Sequence, residues 1–240
     1  MTATIILVHS PFLGPASLRP LADALAAHGH PAVLLDLRPS IVSPPVHQVL
    51  LGVFADVIAD AGLAGPVVLA GHSGAGPLLP AMADTLEEPV TGLIYLDAAL
   101  PTPGKSWRDT VDPALYTALR DRTREGLLPR WHLWFPDHPL ETFIPDPALR
   151  AEIADEAPEV PIAFLKESRP DVEWPGPSAY LALSDAYVTE LERARELGWP
   201  TAQLELTHLA PATGPEPVAE AILQLLANLT EADPDELPRR

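Results

Sequence analysis

The sequence predicts an α/β domain with a mostly parallel, six-stranded sheet and helices on both faces. Short apolar runs alternate with amphipathic segments from residue 3 to about 99, and the alternation resumes after residue 178. Such alternation is typical of parallel strands joined by crossover helices. The length of 240 residues is in the range of one large α/β domain.

The individual elements follow from hydrophobic periodicity. The predicted strands are 4–8, 32–36, 66–70, 92–96, 179–183 and 202–206, and the predicted helices are 16–28, 46–61, 75–86, 186–197 and 216–228. The runs Val67–Ala70 and Leu93–Leu96 are almost entirely apolar. Strands buried on both faces have this composition, so these two are predicted to lie in the centre of the sheet.

The periodic pattern is interrupted between residues 100 and 177. This segment is rich in proline and has helical patches near 112–125 and 146–156. We interpret residues 1–99 and 178–230 as one discontinuous core domain, residues 100–177 as a helical cap insertion, and residues 231–240 as a frayed, charged tail.

Composition excludes several classes of function. The formal charge of −18 disfavours binding to nucleic acid or to anionic membrane surfaces, and the absence of cysteine excludes disulfides and thiolate chemistry. No apolar run approaches the roughly 20 residues of a membrane span. The chain opens with a strand-like run and no leader pattern, which predicts a cytoplasmic protein. No metal site or cofactor motif is apparent, and the oligomeric state is not indicated.

A serine in a turn of small residues is the main chemical motif. Gly71–Gly76 follows a predicted central strand and opens a helix, with Ser73 between Gly71 and Ala75 at the positions two residues away. Small residues there allow a sharp turn that presents the serine Oγ, and the N–H of Gly74 is directed toward a developing oxyanion. A phosphate-binding turn is the alternative, but the G-x-G-x-x-G spacing and the P-loop lysine are absent.

Three motifs follow predicted strands, namely His9-Ser10-Pro11 after the first strand, the turn Gly71–Ala75, and Thr207-His208-Leu209 after the last strand. In these motifs the chain resembles the α/β-hydrolase superfamily, and the resemblance extends over residues 3–229. Its compact layout is most similar to the small esterases and hydroxynitrile lyases. The resemblance implies Ser73 as nucleophile, His208 as general base, a carboxylate between them in chain order, and no cofactor.

Two aspartates compete for the carboxylate role. Asp185 follows the strand at 179–183, where the family usually carries its acid, and is the preferred assignment. Asp97 directly follows the strand at 92–96, where related folds place the acid in some members. Asp97 is therefore the alternative.

The oxyanion site departs from the family pattern at Pro11. The usual first donor is the backbone N–H that aligns with this residue, and proline has none. Gly74 N–H is the first predicted donor, and Phe12 N–H or the Ser10 hydroxyl is the second.

The insertion holds eight of the fourteen aromatic residues of the chain, which predicts an apolar, aromatic cavity over Ser73. For each of these aromatic side chains, packing within the insertion is the alternative role. For His9 and His72, which lie beside motif residues, the alternative is a local structural role. The residues predicted to contact the substrate are Ser10, Pro11, Phe12, His72, Trp107, Trp131, Trp134 and Leu209.

The sequence thus favours acyl transfer by Ser73 on a small to medium apolar or aromatic ester, thioester or lactone. The alternative is proton transfer by Ser73 and His208 in lyase or cyclase chemistry at a C–C bond, of the kind used in natural-product biosynthesis. A non-catalytic binder that keeps the pocket is the third reading. Fold alone does not separate the three.

Overall fold

The sheet has six parallel strands in the order β2-β1-β3-β4-β5-β6. The computed structural model describes residues 3–231. The strands are β1 (Thr4–Val8), β2 (Ala32–Leu34), β3 (Val67–His72), β4 (Val90–Leu96), β5 (Ser178–Ala182) and β6 (Thr201–Gln203). The predicted fold class is confirmed, and the sheet is parallel throughout.

Ten α-helices occur in the described chain. They are α1 (Arg19–Ala27), α2 (Val46–Ala61), α3 (Leu79–Asp84), α4 (Trp107–Thr110), α5 (Pro113–Arg122), α6 (Pro139–Phe143), α7 (Pro147–Glu156), α8 (Val188–Glu196), α9 (Ala210–Thr213) and α10 (Pro215–Glu231). The abundant proline is compatible with them because α1, α3, α5, α6 and α7 each carry proline in their first two positions. The missing N–H has no intrahelical partner there.

The two faces of the sheet bury alternate residues of each strand. In β1, Ile6 and Val8 face a core that includes residues of α2, α3 and α8. Ile5 and Leu7 face a second core with α1 and α10. Both faces are therefore covered by helices, which explains why the central strands are apolar along their whole length.

The edge strands and two helix starts differ from the predicted limits. β2 and β6, at the two edges of the sheet, have three residues each. Residues 15–17 form a 3-10 turn before α1, and residues 73–78 form a 3-10 helix before α3. Pro77 lies inside that 3-10 helix and removes a donor that an α-helix would use.

Residues 100–177 connect β4 to β5 and contain α4 to α7. Leu119, Leu128, Phe164 and Leu165 belong to the same apolar core as the sheet face covered by α2 and α8. The insertion therefore packs on that face, while its treatment as a separate cap remains a prediction. Of the predicted tail, only Glu231 is described, as the last residue of α10.

Candidate active site

Ser73 stands at the carboxyl end of β3, where the chain turns into the 3-10 helix 73–78. Its φ of +58° is a left-handed conformation that a non-glycine residue rarely adopts. The turn is tightly enclosed, since a Cβ at Gly71 would lie 2.8 Å from the Leu79 side chain and one at Gly76 would collide with the carbonyl oxygen of Ala99. Small residues are required here, as the motif predicted.

His208 joins Ser73 to a buried carboxylate. Its Nε2 lies 3.0 Å from the Ser73 Oγ, and its Nδ1 lies 2.7 Å from Oδ2 of Asp97. A neutral imidazole with the proton on Nδ1 satisfies both contacts, because Nδ1–H then donates to the carboxylate and Nε2 accepts from the serine hydroxyl. These three side chains form one continuous hydrogen-bonded chain.

Asp97 is fully buried at the end of β4 and has a positive φ of 42°. Its Oδ1 accepts from the N–H groups of Leu183, at 2.8 Å, and Ser184, at 3.1 Å. Oδ2 accepts from the Ser184 hydroxyl at 2.7 Å as well as from His208. Burial alone would raise the pKa of Asp97, but the hydrogen bond and charge of His208, with these donors, bring the pKa below its usual value.

The preference for Asp185 as the carboxylate partner of His208 is therefore corrected, because it is Asp97 that contacts the imidazole. Asp185 opens a 3-10 helix, is exposed, and makes no hydrogen bond to His208 within residues 3–231. The backbone after β5 instead turns its N–H groups, at Leu183 and Ser184, toward the end of β4. That loop supplies the donors, and the neighbouring strand supplies the carboxylate.

His72 supports the imidazole from behind. Its Nε2–H donates to the carbonyl oxygen of His208 at 2.9 Å, and the two rings stack with centroids 4.6 Å apart. Burial, and then the charge of His208, lower the pKa of His72 to about 3, so it is neutral near pH 7. It is wholly buried and absent from the cavity wall, which corrects its predicted contact with substrate.

Tyr187 is a site residue that the sequence did not single out. Its hydroxyl oxygen lies 3.5 Å from the Ser73 Oγ, and its ring stacks on His208 with centroids 5.5 Å apart. Burial raises the pKa of Tyr187 to about 12, so its hydroxyl stays protonated. Its place in the loop after β5, two residues from Asp185, was the available signal.

A cavity of about 920 Å³ opens in front of Ser73. Its wall is mainly aromatic and aliphatic in surface, and it also carries polar and charged side chains. The lining residues are Phe12, Ser73, Gly74, Pro77, Ala99, Trp107, Thr110, Val111, Leu115, Trp131, Trp134, Phe135, Asp137, Pro139, Thr142, Phe143, Arg169, Ser184, Asp185, Ala186, Tyr187, Leu206, Thr207 and His208.

Four of the aromatic predictions fall on this wall. Phe12 packs edge-on against Trp134, with ring centroids 4.7 Å apart, and against Trp107 at 6.2 Å. Trp131 lies in a 3-10 turn with its ring 6.0 Å from that of His208. Contact of these residues with a substrate stays a prediction.

Ser10, Pro11 and Leu209 lie behind the residues that line the cavity, so the predicted substrate contact of Pro11 and Leu209 is corrected, while the Ser10 hydroxyl, beside Gly74, stays a predicted oxyanion donor. All three are buried, and Leu209 packs in a small core with Leu13 and Ala16. None of the three lines the cavity.

Solved structures share this architecture. An extracellular α/β-hydrolase from a Paenibacillus species, described as structurally and functionally homologous to tobacco salicylic acid binding protein 2, has a TM-score of 0.72 at 19% identity, covering 93% of this chain and 98% of that chain. A pyrethroid hydrolase from Sphingobium faniae JZ-2 has a TM-score of 0.63 at 19% identity, covering 96% and 100%. Tomato methylketone synthase I, complexed as a variant with beta-ketoheptanoate, has a TM-score of 0.66 at 16% identity, covering 95% and 99%.

This chain has the α/β-hydrolase fold. The resemblance drawn from the serine turn and the histidine loop is confirmed at the level of the fold. The sequence itself matches no protein-family model and no curated protein.

One part of this chain departs from the pattern usual in the α/β-hydrolase fold, namely the loop after β1. Pro11 has no N–H, and the N–H of Phe12 donates to the Ser10 hydroxyl oxygen at 3.3 Å. That oxygen lies beside the serine turn, 3.1 Å from where a Cβ on Gly74 would be. The predicted second donor, Phe12 N–H, is thus already engaged with Ser10.

His9 fixes the same loop. Its Nε2 accepts from the N–H of Leu37 at 3.0 Å, so its Nδ1 carries the proton and donates to the carbonyl oxygen of Ser10 at 2.9 Å. Burial lowers the pKa of His9, which keeps the ring neutral. The histidine of the first motif has a structural role here, tying β1 to the loop after β2.

No helix among residues 3–231 is both long enough and apolar enough to cross a bilayer. Within the same residues, no group of three or more histidine or carboxylate side chains is arranged to hold a metal ion.

Proposed function

We propose that this protein is a serine hydrolase acting on a small to medium apolar or aromatic ester, thioester or lactone through an acyl-enzyme. The observation that supports the proposal is the hydrogen-bonded series Asp97–His208–Ser73, with contacts of 2.7 and 3.0 Å. Ser73 faces a cavity with aromatic walls. A serine hydroxyl becomes an effective nucleophile when an oriented imidazole accepts its proton.

The geometry supports a two-step reaction. The Ser73 Oγ attacks the carbonyl carbon as Nε2 of His208 takes its proton, and ionised Asp97 stabilises the resulting imidazolium. The oxyanion forms near the N–H of Gly74, in the first turn of the helix, where backbone donors have no intrahelical partner. His208 then protonates the leaving group. In the second step His208 takes a proton from water as the water attacks the acyl-enzyme, and it returns that proton to the Ser73 Oγ as the acid product leaves.

The surrounding cavity supports an apolar substrate. Its volume of about 920 Å³ is at the upper end of the range for small-molecule sites, and tryptophan and phenylalanine side chains form much of its wall. Two of the structural neighbours are named as hydrolases, one of them for pyrethroids. These likenesses support the proposed reaction class. The proposed apolar character of the substrate is supported by the apolar side chains that line the cavity.

Covalent labelling tests the nucleophile. A fluorophosphonate probe is expected to add one adduct to the wild-type protein and to Ser40→Ala, a control serine bonded to the carbonyl of Leu37 and outside the cavity wall. Ser73→Ala is expected to abolish both labelling and turnover of aryl esters. Labelling that persists in Ser73→Ala contradicts the assignment, and so does a wild-type protein that neither labels nor turns over esters.

A second candidate function is proton transfer by His208 and Ser73 at a C–C bond. The absent Pro11 N–H and the engaged Phe12 N–H favour it, because they leave the hole with fewer donors for acyl transfer. The fold neighbour named methylketone synthase supports non-hydrolytic chemistry on such a scaffold.

Two substitutions in the loop after β1 separate the candidates. If the Ser10 hydroxyl is the second oxyanion donor of a hydrolase, Ser10→Ala is expected to lower kcat on esters about 10²- to 10³-fold. Pro11→Gly adds an N–H at the usual donor position and is expected to preserve or raise ester hydrolysis. A Pro11→Gly protein that gains no esterase activity, where wild type has none either, favours the proton-transfer candidate.

A further inference from the structure

Arg169 places a buried positive charge on the wall of the Ser73 cavity. The residue is 7% exposed, although it lines the cavity. Its Nη1 donates to the hydroxyl of Thr102 at 2.5 Å, and Nη1 and Nη2 lie 3.5 and 3.4 Å from the hydroxyl of Thr110. Burial lowers the pKa of Arg169 to about 10, so the guanidinium remains charged near pH 7.

No carboxylate within residues 3–231 forms an ion pair with Arg169, whereas the more exposed Arg19, Arg38 and Arg120 are each paired with at least one carboxylate. The carboxylate whose charge acts on Arg169, that of Asp109, accepts hydrogen bonds from Ser106. Burying a cation without a counter-ion costs free energy. Two neutral hydroxyls offset only part of that cost, which leaves a site suited to an anion.

We propose that Arg169 binds a carboxylate on the substrate, remote from the carbonyl that Ser73 attacks. The inference rests on the proposed function, in which Ser73 attacks an acyl carbonyl. It narrows the substrate class to apolar or aromatic esters or thioesters that carry a carboxylate at their far end. The planar guanidinium matches a carboxylate with two parallel N–H donors. Trp107, Val111 and Leu115 line the same cavity and offer apolar surface for the body of such a substrate.

Two acidic residues also line the cavity and would repel an anion. Asp137 and Asp185 are both exposed, so water and salt screen their charges. Arg169 is buried, and its interaction with a bound carboxylate is screened much less. The buried guanidinium therefore dominates at the position where the anion would bind.

Calorimetric binding to Ser73→Ala protein tests the anion site without catalysis. The probes are phenylalkanoates of increasing chain length, each paired with its neutral amide. We expect at least one carboxylate to bind about tenfold or more tightly than its amide, the scale of a charge-assisted hydrogen bond. The Arg169→Gln change in the same protein is expected to remove this preference, and Arg169→Lys is expected to retain part of it.

Arg193→Gln is the matched control. This arginine is exposed and lines a smaller neighbouring cavity, of about 220 Å³, together with Arg169, but it does not line the Ser73 cavity. It is expected to leave the preference unchanged. Equal affinity of every carboxylate and its amide overturns the proposal, and so does a preference that survives Arg169→Gln.

The failure of this proposal and of the proposed function are distinguishable. Fluorophosphonate labelling of Ser73 depends on the serine and imidazole, so Arg169→Gln is expected to label like wild type. Loss of labelling in wild type with a retained carboxylate preference overturns the hydrolase and keeps the anion site. Where Arg169→Gln does not fold, as judged by circular dichroism, the carboxylate and amide comparison in Ser73→Ala and in Arg169→Lys decides.

Discussion

At the scale of single residues, Asp97 is held where four donors meet. Two backbone N–H groups, the Ser184 hydroxyl and the His208 imidazole all point at one buried carboxylate. Such a group is costly to bury unless it is fully hydrogen-bonded. The loop after β5 therefore acts mainly to hold this carboxylate in its ionised form against His208.

Asp97→Asn is expected to lower kcat/KM on aryl esters by about 10⁴-fold, because an amide neither fixes the imidazole tautomer nor stabilises its cation. Asp185→Asn is expected to change kcat/KM less than tenfold, since its carboxylate is exposed and does not contact His208. Steady-state kinetics on both variants, with circular dichroism as the check on folding, measures the difference. The opposite ordering would return the acid role to Asp185.

Tyr187→Phe is expected to reduce kcat a few-fold with KM unchanged, because the hydroxyl is at the outer limit of hydrogen-bond distance from Ser73. Tyr187→Ala is expected to cost more, since it also removes the ring that stacks on His208. Kinetics of the two variants on one aryl ester checks this. If Tyr187→Ala behaves like Tyr187→Phe, the stacking has no part in positioning the imidazole.

The sequence was sufficient to predict that Ser73 and His208 lie in one site, because the small-residue turn and the loop before the last helix are local patterns. The acid was not decided by sequence, since aspartates follow both β4 and β5. The choice depends on which way the backbone of Leu183 and Ser184 turns its N–H groups. Tyr187 was missed for the same reason, because its contact with Ser73 spans 114 residues of chain.

At the scale of elements, the carboxyl end of β3 positions both Ser73, the proposed nucleophile, and His72, which contacts the loop of His208. His72 is the last residue of β3, and it donates to the loop that precedes α9. This hydrogen bond connects a central strand to the loop bearing His208. The ring stays neutral, since protonation would place a second N–H on Nδ1, which is buried and has no acceptor within the described chain.

His72 predicts a pH dependence of stability. Its pKa is about 3 in the folded protein and near 6.5 when exposed, so the unfolded chain binds the proton first as pH falls. The free energy of unfolding contributed by this ring is fully present above about pH 6.5 and is lost progressively as pH falls toward 3. Urea unfolding of wild type and His72→Gln between these pH values is expected to show a shallower decline in the variant. Equal slopes would contradict the assignment.

The strands and the longer helices were predictable because their apolar periodicity is regular. Predicted and observed limits agree for β1 and α2. The edge strands were overestimated because apolar residues continue past the last paired residue, at Leu35 after β2 for example. The 3-10 helix at 73–78 was missed because its pattern of small residues is also compatible with an α-helix start.

At the scale of the whole molecule, the net charge of −18 creates repulsion that the fold must overcome. Raising NaCl from about 0.01 to 0.15 M shortens the Debye length from about 30 to 8 Å and screens that repulsion. We therefore expect the Tm to rise with salt over this range. Thermal unfolding in a salt series measures it, and a Tm that stays level or falls would show that ion pairs outweigh the repulsion.

The hydrogen bonds that join Asp97, His208 and Ser73 also have a consequence for refolding. His208 is separated by 135 residues from Ser73 and by 111 from Asp97, so neither contact forms until distant segments have met. Contacts of such long range are slow to form, since loop-closure entropy must be lost first. Esterase activity is therefore expected to recover later than far-ultraviolet ellipticity during refolding. An esterase assay would then measure when β6 and the loop of His208 reach their native positions.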